Sequence, residues 1–300
     1  MGQILHTISE LLILWLTANL LHGLWIHLRL RHWEKGFVRD PQGVRPGVAS
    51  YTVGTGPTAV LWLHGFADSP AVFKRVTTRL AATSRFTCRA VRLPGAGETV
   101  QAAAQVQLAD LEGAILREIA ELRNHHAQVW VAGHSMGGAL ALQTALNPAS
   151  GVSGVIALAP MIRVSRKRSP VLSPALWFQL ANRLFLFSRI FESCFKTRSA
   201  AADDPSFVIH RDRFIPFATY CNVFALIDAL APRATHLRVP VFAALPSEDR
   251  VVDTPAAQRW FSGVPAPKVI HTLPHLTHVL LLEHGWQHLT DEIASFIEQN

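Results

Sequence analysis

Along the 300-residue chain, short apolar runs alternate with longer amphipathic ones. Six runs are short, apolar and rich in β-formers: "TAVLWLHG" at 58–65, "FTCRAVRLPG" at 86–95, "QVWVAG" at 128–133, "GVIALAP" at 154–160, "VPVFAAL" at 239–245 and "KVIHTLP" at 268–274. Between them, residues 71–82, 102–123, 136–146, 255–261 and 283–299 read as helices, so the pattern predicts a mainly parallel sheet crossed back through helices. From Met161 to about His236 the strand rhythm stops and the text becomes helix-like and aromatic-rich, with Ser173 placed to cap a helix and Pro174 in its first turn. So long a stretch after a strand is expected to be a helical cap rather than a loop. The predicted organisation is an N-terminal apolar helix over 1–35, an α/β core over 36–160 and 237–300, and a helical cap or lid over 161–236.

The first helix changes the picture of a plain α/β domain. "LLILWLTANLLHGLWIHL", Leu11 to Leu28, has no Asp, Glu, Lys or Arg and nearly matches a hydrocarbon core of roughly 30 Å. It is expected to anchor the protein in a membrane. Arg29, Arg31, Lys35 and Arg39 follow it and no basic side chain precedes it, which places the domain on the cytoplasmic face. A cleaved signal peptide would carry its charge on the other side and a small-residue cleavage site after the run. Asn19, His22, Gly23 and His27 recur at helical spacing, so the helix could instead lie flat in the interface or pack on its own domain.

The net charge of +7 suits an anionic surface, but the basic residues form no long run and the aromatics no stacking array, so nucleic acid is not indicated. Cys88, Cys194 and Cys221 are far apart, without the spacing of a zinc site or a disulfide framework. His125 and His126 are adjacent on a helix and point apart. Neither a metal nor an organic cofactor is implied.

The candidate chemistry lies in "VWVAGHSMGGAL" at 129–140, where Gly133-His134-Ser135-Met136-Gly137 joins a strand to a helix. A turn that sharp leaves no room for side chains at its flanks and exposes the serine at its tip. A serine hydroxyl needs a histidine to take its proton and a carboxylate to orient that histidine. In this chain order the acid follows a late strand and the histidine the last one, which selects Asp249 and His278 over Glu248, Asp253 and His275. Two N–H donors must face the oxygen where charge develops, and the backbone of Met136 and of Phe66 in "HGFAD" are placed to supply them. His64 is expected to brace that loop.

At these residues the chain resembles the α/β-hydrolase superfamily, in particular its carboxylesterase and monoacylglycerol-lipase-like branch, which includes the serine aminopeptidases. "LHGFADSP", "LPGAGET", "GHSMGGALAL", "EDRVVD" and "THVLLLE" carry the likeness, in family order, over roughly residues 50–298. The resemblance implies Ser135 as nucleophile, Asp249 as acid, His278 as base and Phe66 and Met136 as oxyanion donors. Where relatives commonly have G-H-G, this chain has Gly95-Ala96-Gly97. A serine at the elbow implies acyl transfer to water rather than epoxide or halide chemistry.

The cap holds Trp177, Phe178, Phe185, Phe187, Phe191 and Phe195, and a basic series from Arg163 to Arg189, Lys196 and Arg198 set against Glu192 as its one acid before residue 200. Trp177, Phe178 and Phe185 are the expected substrate-pocket residues. An apolar cap with a basic rim suits an acyl chain arriving from an anionic leaflet, with about 1 kcal/mol of attraction per nearby cation. The expected function is a membrane-associated serine esterase or lipase. The same triad would serve an acyltransferase or an aminopeptidase, and a binding protein on an inactive hydrolase fold is the alternative of another class.

Overall fold

The computed structural model describes residues 1–169, 171–193, 199–201, 204–208 and 210–300; Cys194, Phe195, Lys196 and Arg198 lie outside them. All six predicted strands form: β2 (Thr58–Leu63), β3 (Phe86–Val91), β4 (Gln128–His134), β5 (Gly154–Leu158), β10 (Val241–Pro246) and β11 (Lys268–Leu273). They run parallel, and β1 (Tyr51–Val53) adds an antiparallel edge to give the order β1-β3-β2-β4-β5-β10-β11. Three residues are too few to show a period, which is why β1 has no sequence signal.

Side-chain alternation divides the core in two. Ala59, Leu61 and Leu63 of β2 and Val129 and Val131 of β4 face one layer, built with α4 (Leu108–Arg123), α5 (Met136–Ala145), α7 (Phe217–Leu230) and α8 (Thr254–Ser262). Val60, Trp62, Trp130 and Ala132 face the other, closed by α2 (Lys74–Ala81) and α9 (Trp286–Gln299). Burial on both faces is what the continuously apolar strands demand. Two helix boundaries differ from the periodicity. The helix expected over 102–123 is α3 (Val100–Ala103) followed by α4, because Gln107 and Asp110 form a capping box that restarts the chain. The helix expected from 283 begins at Trp286, after Gly285 in a left-handed conformation.

The stretch between β5 and β10 is not purely helical, which corrects the sequence expectation. It contains α6 (Pro174–Leu184), with Ser173 accepting the Leu176 N–H, and α7, but also antiparallel pairs of β6 (Ile190–Glu192) with β9 (Phe214–Pro216) and β7 (Ser199–Ala201) with β8 (Asp204–Val208). Three of these strands have three residues, again too few for a pattern to show, and the five of β8, DPSFV, form no apolar run.

The N-terminal helix α1 (Gly2–Glu34) packs on this insertion by the polar stripe. The Asn19 side-chain oxygen accepts the Leu186 N–H at 3.0 Å, and Arg29 meets Glu192 at 2.8 Å. The His22 ring lies 4.8 Å from that of Phe185, and Gly23 faces the Phe187 carbonyl so closely that a Cβ would sit 3.1 Å from its oxygen. Ile26 and Leu30 are buried, while Leu20, Leu21, Leu24, Trp25 and Leu28 on the other side are exposed.

Candidate active site

Ser135 stands at the turn from β4 into α5 with φ 58° and ψ −118°, a conformation L-residues rarely hold. The neighbours enforce it. The Ser135 N–H donates to the Leu158 carbonyl at 2.9 Å, and its carbonyl accepts from Met161 and Ala139 at 3.0 Å each. A Cβ at Gly133 would fall on the carbonyl oxygen of Gly137, and one at Gly137 on that of Leu63, so both flanking glycines are steric requirements.

The loop after β10 delivers Asp249 and the loop after β11 delivers His278 to this serine. His278 Nε2 lies 2.9 Å from Ser135 Oγ, and Nδ1 lies 2.7 Å from Asp249 Oδ2. With Nδ1–H donated to the carboxylate, Nε2 is left to accept the serine proton. The other Asp249 oxygen accepts the N–H groups of Val251 at 2.7 Å and Val252 at 2.8 Å. Burial alone would raise the Asp249 pKa. The hydrogen bond and charge of His278, with those two N–H donors, outweigh it and hold the carboxyl below its ordinary range.

Two further groups fix the histidine loop. Thr277 donates its N–H to Glu283 at 3.0 and 3.1 Å and also its hydroxyl, and His134 Nε2 donates to the His278 carbonyl at 2.8 Å. Burial, reinforced by the nearby His278, lowers the His134 pKa to about 3, so its ring is neutral. Glu283 lies in "THVLLLE" and His134 in the serine motif, but only the fold shows what they touch. His64 braces its loop as expected. Its Nε2 accepts the Leu93 N–H at 3.1 Å, its Nδ1 lies 3.0 Å from the Gly65 carbonyl, and burial lowers its pKa to about 4.

Gly65 packs against Ser135, where an added Cβ would lie 3.2 Å from the serine Cβ, and this brings the backbone of Phe66 beside Ser135. Met136 is the first residue of α5, where N–H groups have no partner within the helix. Phe66 and Ser135 line one cleft of about 1200 Å³, covered by the insertion. Trp177 and Phe178 line it too, Phe178 stacked on Phe217 at 4.3 Å. Phe185 does not. Helix α6 ends one residue earlier, and the extended backbone at Phe185 turns its ring onto His22 of α1. Phe185 belongs to the α1 contact rather than to the pocket.

The competing residues are engaged elsewhere. His275 and Glu248 are exposed and 3.5 Å apart, while Asp253 caps α8 and binds Arg163. The basic series is partly neutralised by contacts of this kind. Glu192 lines the cleft but is held by Arg29 and Arg213. Asp68 and Arg211 also line it, 3.3 Å apart. Among the described residues no group of three or more His, Cys, Asp or Glu could hold a metal ion.

Comparison with known proteins agrees with this architecture. The family model described as serine aminopeptidase, S33 matches residues 57–285. The structure described for the metagenome-derived lipolytic enzymes LipS and LipT superposes with TM-score 0.74 and 20% identity, covering 86% of this chain and all of that one. A monoacylglycerol lipase of Paleococcus ferrophilus gives TM-score 0.68 at 18% identity, over 84% of this chain and 98% of its own. A soluble variant of the Saccharomyces cerevisiae monoglyceride lipase, in complex with a substrate analogue, gives 0.66 at 17%, over 83% and 90%. No curated protein matches the sequence. With a family match over most of its length and the α/β-hydrolase fold around it, the chain belongs to the serine aminopeptidase, S33 family.

Proposed function

We propose that the protein is a serine hydrolase that cleaves carboxylic esters of lipid-like or medium-chain acyl groups through an acyl-enzyme on Ser135. The observation that carries this reading is the Ser135–His278–Asp249 chain of contacts, 2.9 and 2.7 Å, opening into a cleft walled by Trp177, Phe178 and Phe224. Ser135 Oγ attacks the ester carbonyl while His278 Nε2 takes its proton. The N–H groups of Phe66 and Met136 hold the oxygen as it gains charge, and Asp249 steadies the imidazolium. Attack forms the Oγ–carbon bond and a tetrahedral oxyanion; its collapse re-forms the carbonyl, breaks the carbon–alkoxy bond and passes the proton from His278 to the leaving alcohol. Water, deprotonated by the same nitrogen, then attacks the acyl-enzyme, and the acid departs with Ser135 regenerated.

An ester suits the cleft better than a peptide. A free amino terminus needs an unpaired carboxylate; of the three on the cleft wall, Asp68 and Glu192 are each bound to arginine, and Glu248 is exposed and 3.5 Å from His275. Acyl transfer to an alcohol shares every step but the last, and product analysis with a competing alcohol separates it from hydrolysis. The exposed apolar side of α1 suits burial in a bilayer, with the domain on the cytoplasmic face. Arg31 and Lys35 are exposed and suit anionic headgroups, whereas Arg29 and Arg39 are tied to Glu192 and Glu34.

The test is turnover of p-nitrophenyl esters of graded chain length together with fluorophosphonate labelling. Activity should peak at medium or long chains, and Ser135→Ala should abolish labelling and lower the rate by about 10⁶-fold. Undiminished turnover in that variant would rule the mechanism out.

A further inference from the structure

The loop that carries Phe66 is not held by the core alone. Residues 65–69 contain Ala67 at φ +58°, a left-handed conformation that costs a non-glycine residue roughly 1–2 kcal/mol and persists only where neighbours impose it. Within the loop itself, Asp68 N–H reaches the Gly65 carbonyl at 3.2 Å. Beyond His64 and the Gly65 packing on Ser135, two restraints come from consecutive residues of the insertion. The Asp212 N–H donates to the Ala67 carbonyl at 2.9 Å, and Arg211 Nη2 reaches Asp68 Oδ2 at 3.3 Å.

That dipeptide is itself clamped. Asp212 Oδ1 accepts from Arg45 Nη2 at 3.0 Å and Oδ2 from the Gly97 N–H at 3.1 Å, while Arg45 Nη1 donates to the Arg211 carbonyl at 3.0 Å. The Arg45 guanidinium lies over the rings of Trp33 and Phe37, 5.4 and 5.3 Å away. The Arg45 side chain is 4% exposed and that of Asp212 14%, so a charged pair has been taken out of water at a place where the proposed chemistry does not use it. Burying such a pair is costly unless its geometry is well satisfied. Here the hydrogen bonds of the pair converge on Ala67, Gly97 and the Arg211–Asp212 backbone, while Arg45 Nε is buried without a hydrogen-bond partner among the described residues.

We infer that Asp212 and Arg45 are positioning residues of the oxyanion loop: by fixing Ala67 and Asp68 from the insertion side, they aim the Phe66 N–H at the oxygen of the tetrahedral intermediate. The inference rests on the proposed oxyanion role of Phe66. It makes the insertion part of the catalytic apparatus as well as a cover for substrate. Asp212 does not line the substrate cleft, so its removal leaves ground-state binding intact and is felt where charge develops.

The experiment compares Asp212→Asn and Arg45→Lys with the unaltered full-length protein, with rates expressed per serine titrated by fluorophosphonate so that misfolded molecules do not count. Both variants should lose at least tenfold in kcat, with KM for a p-nitrophenyl ester within twofold. A trifluoromethyl ketone, whose serine adduct places an oxyanion in the same hole, should lose affinity by the same factor as kcat/KM. An unchanged kcat per titrated serine, a defect confined to KM, or ketone affinity that does not follow kcat/KM would overturn the inference. Turnover surviving in Ser135→Ala would instead overturn the underlying mechanism, so the two failures are distinct.

Discussion

His278 is restrained on every side: its ring by Asp249 and Ser135, its carbonyl by His134, and its preceding residue by Glu283. The Glu283 contacts are charge-assisted hydrogen bonds at a solvent-exposed position, each worth less than the roughly 1.5–3 kcal/mol of a buried one but all lost together. Glu283→Ala should therefore lower kcat by about 10- to 100-fold with little change in the fluorophosphonate-titratable fraction, read by steady-state kinetics. The grouping of Ser135, Asp249 and His278 is legible in the sequence because each follows a strand and their order is that of a known arrangement. His134, Arg45 and Asp212 are not legible, because each acts on backbone groups of loops distant in sequence, and Glu283 is not, because a six-residue spacing outside a regular element does not show that the chain folds back onto Thr277. The buried histidines also set a pH limit. Burial lowers His64 to about 4 and His134 to about 3 from an ordinary 6.5, so on acidification the unfolded chain binds protons before the folded one does. Their contribution to stability is complete above pH 6.5 and is lost as the pH falls toward those folded values, on the order of 5 kcal/mol for the two together by pH 4. The midpoint of urea denaturation should fall continuously between pH 6.5 and 4, and His64→Asn should flatten that slope where it remains folded.

The core strands, five to seven residues long, announce themselves and the three-residue strands do not. The six core strands are continuously apolar because helices cover both faces, and that burial is what makes their text distinctive. The insertion strands β6, β7 and β9 and the edge β1 have too few residues for a period, β8 has no apolar run, and α3 and α4 merge in the periodicity because the break at 104–107 is a capping event. The polar stripe on α1 is legible as a stripe, but what it meets is settled only by the fold. It seats on 185–192, so α1 and the insertion behave as one unit resting over the cleft. Gly23→Leu places a bulky side chain where even a Cβ would come within 3.1 Å of the Phe187 backbone. Overpacking of this kind costs typically 1–3 kcal/mol. The expected result is faster proteolysis near 185–193 and lower ester turnover, with global unfolding little changed. Equal proteolysis rates in variant and wild type would show that α1 does not brace the insertion.

For the whole molecule, the same docking decides how α1 can meet a bilayer. The charge-free apolar run is Leu11–Leu28, yet its second half, from Asn19 onward, carries the stripe committed to the insertion. Only eight residues of the run, 11–18, precede that stripe, about 12 Å of helix at 1.5 Å per residue against a hydrocarbon core of roughly 30 Å. Spanning would require the helix to leave the insertion, stripping Asn19 of the Leu186 N–H and Glu192 of Arg29. Lying along the interface keeps both contacts and still buries Leu20, Leu21, Leu24, Trp25 and Leu28, which face away from the protein. The prediction is an N-terminus on the same side of the membrane as the catalytic domain. In sealed vesicles with that domain outward, an epitope fused ahead of Met1 should be removed by added protease, and alkaline carbonate should release the protein. A protected epitope with carbonate-resistant protein would mean that α1 has let go of the insertion and crosses the bilayer.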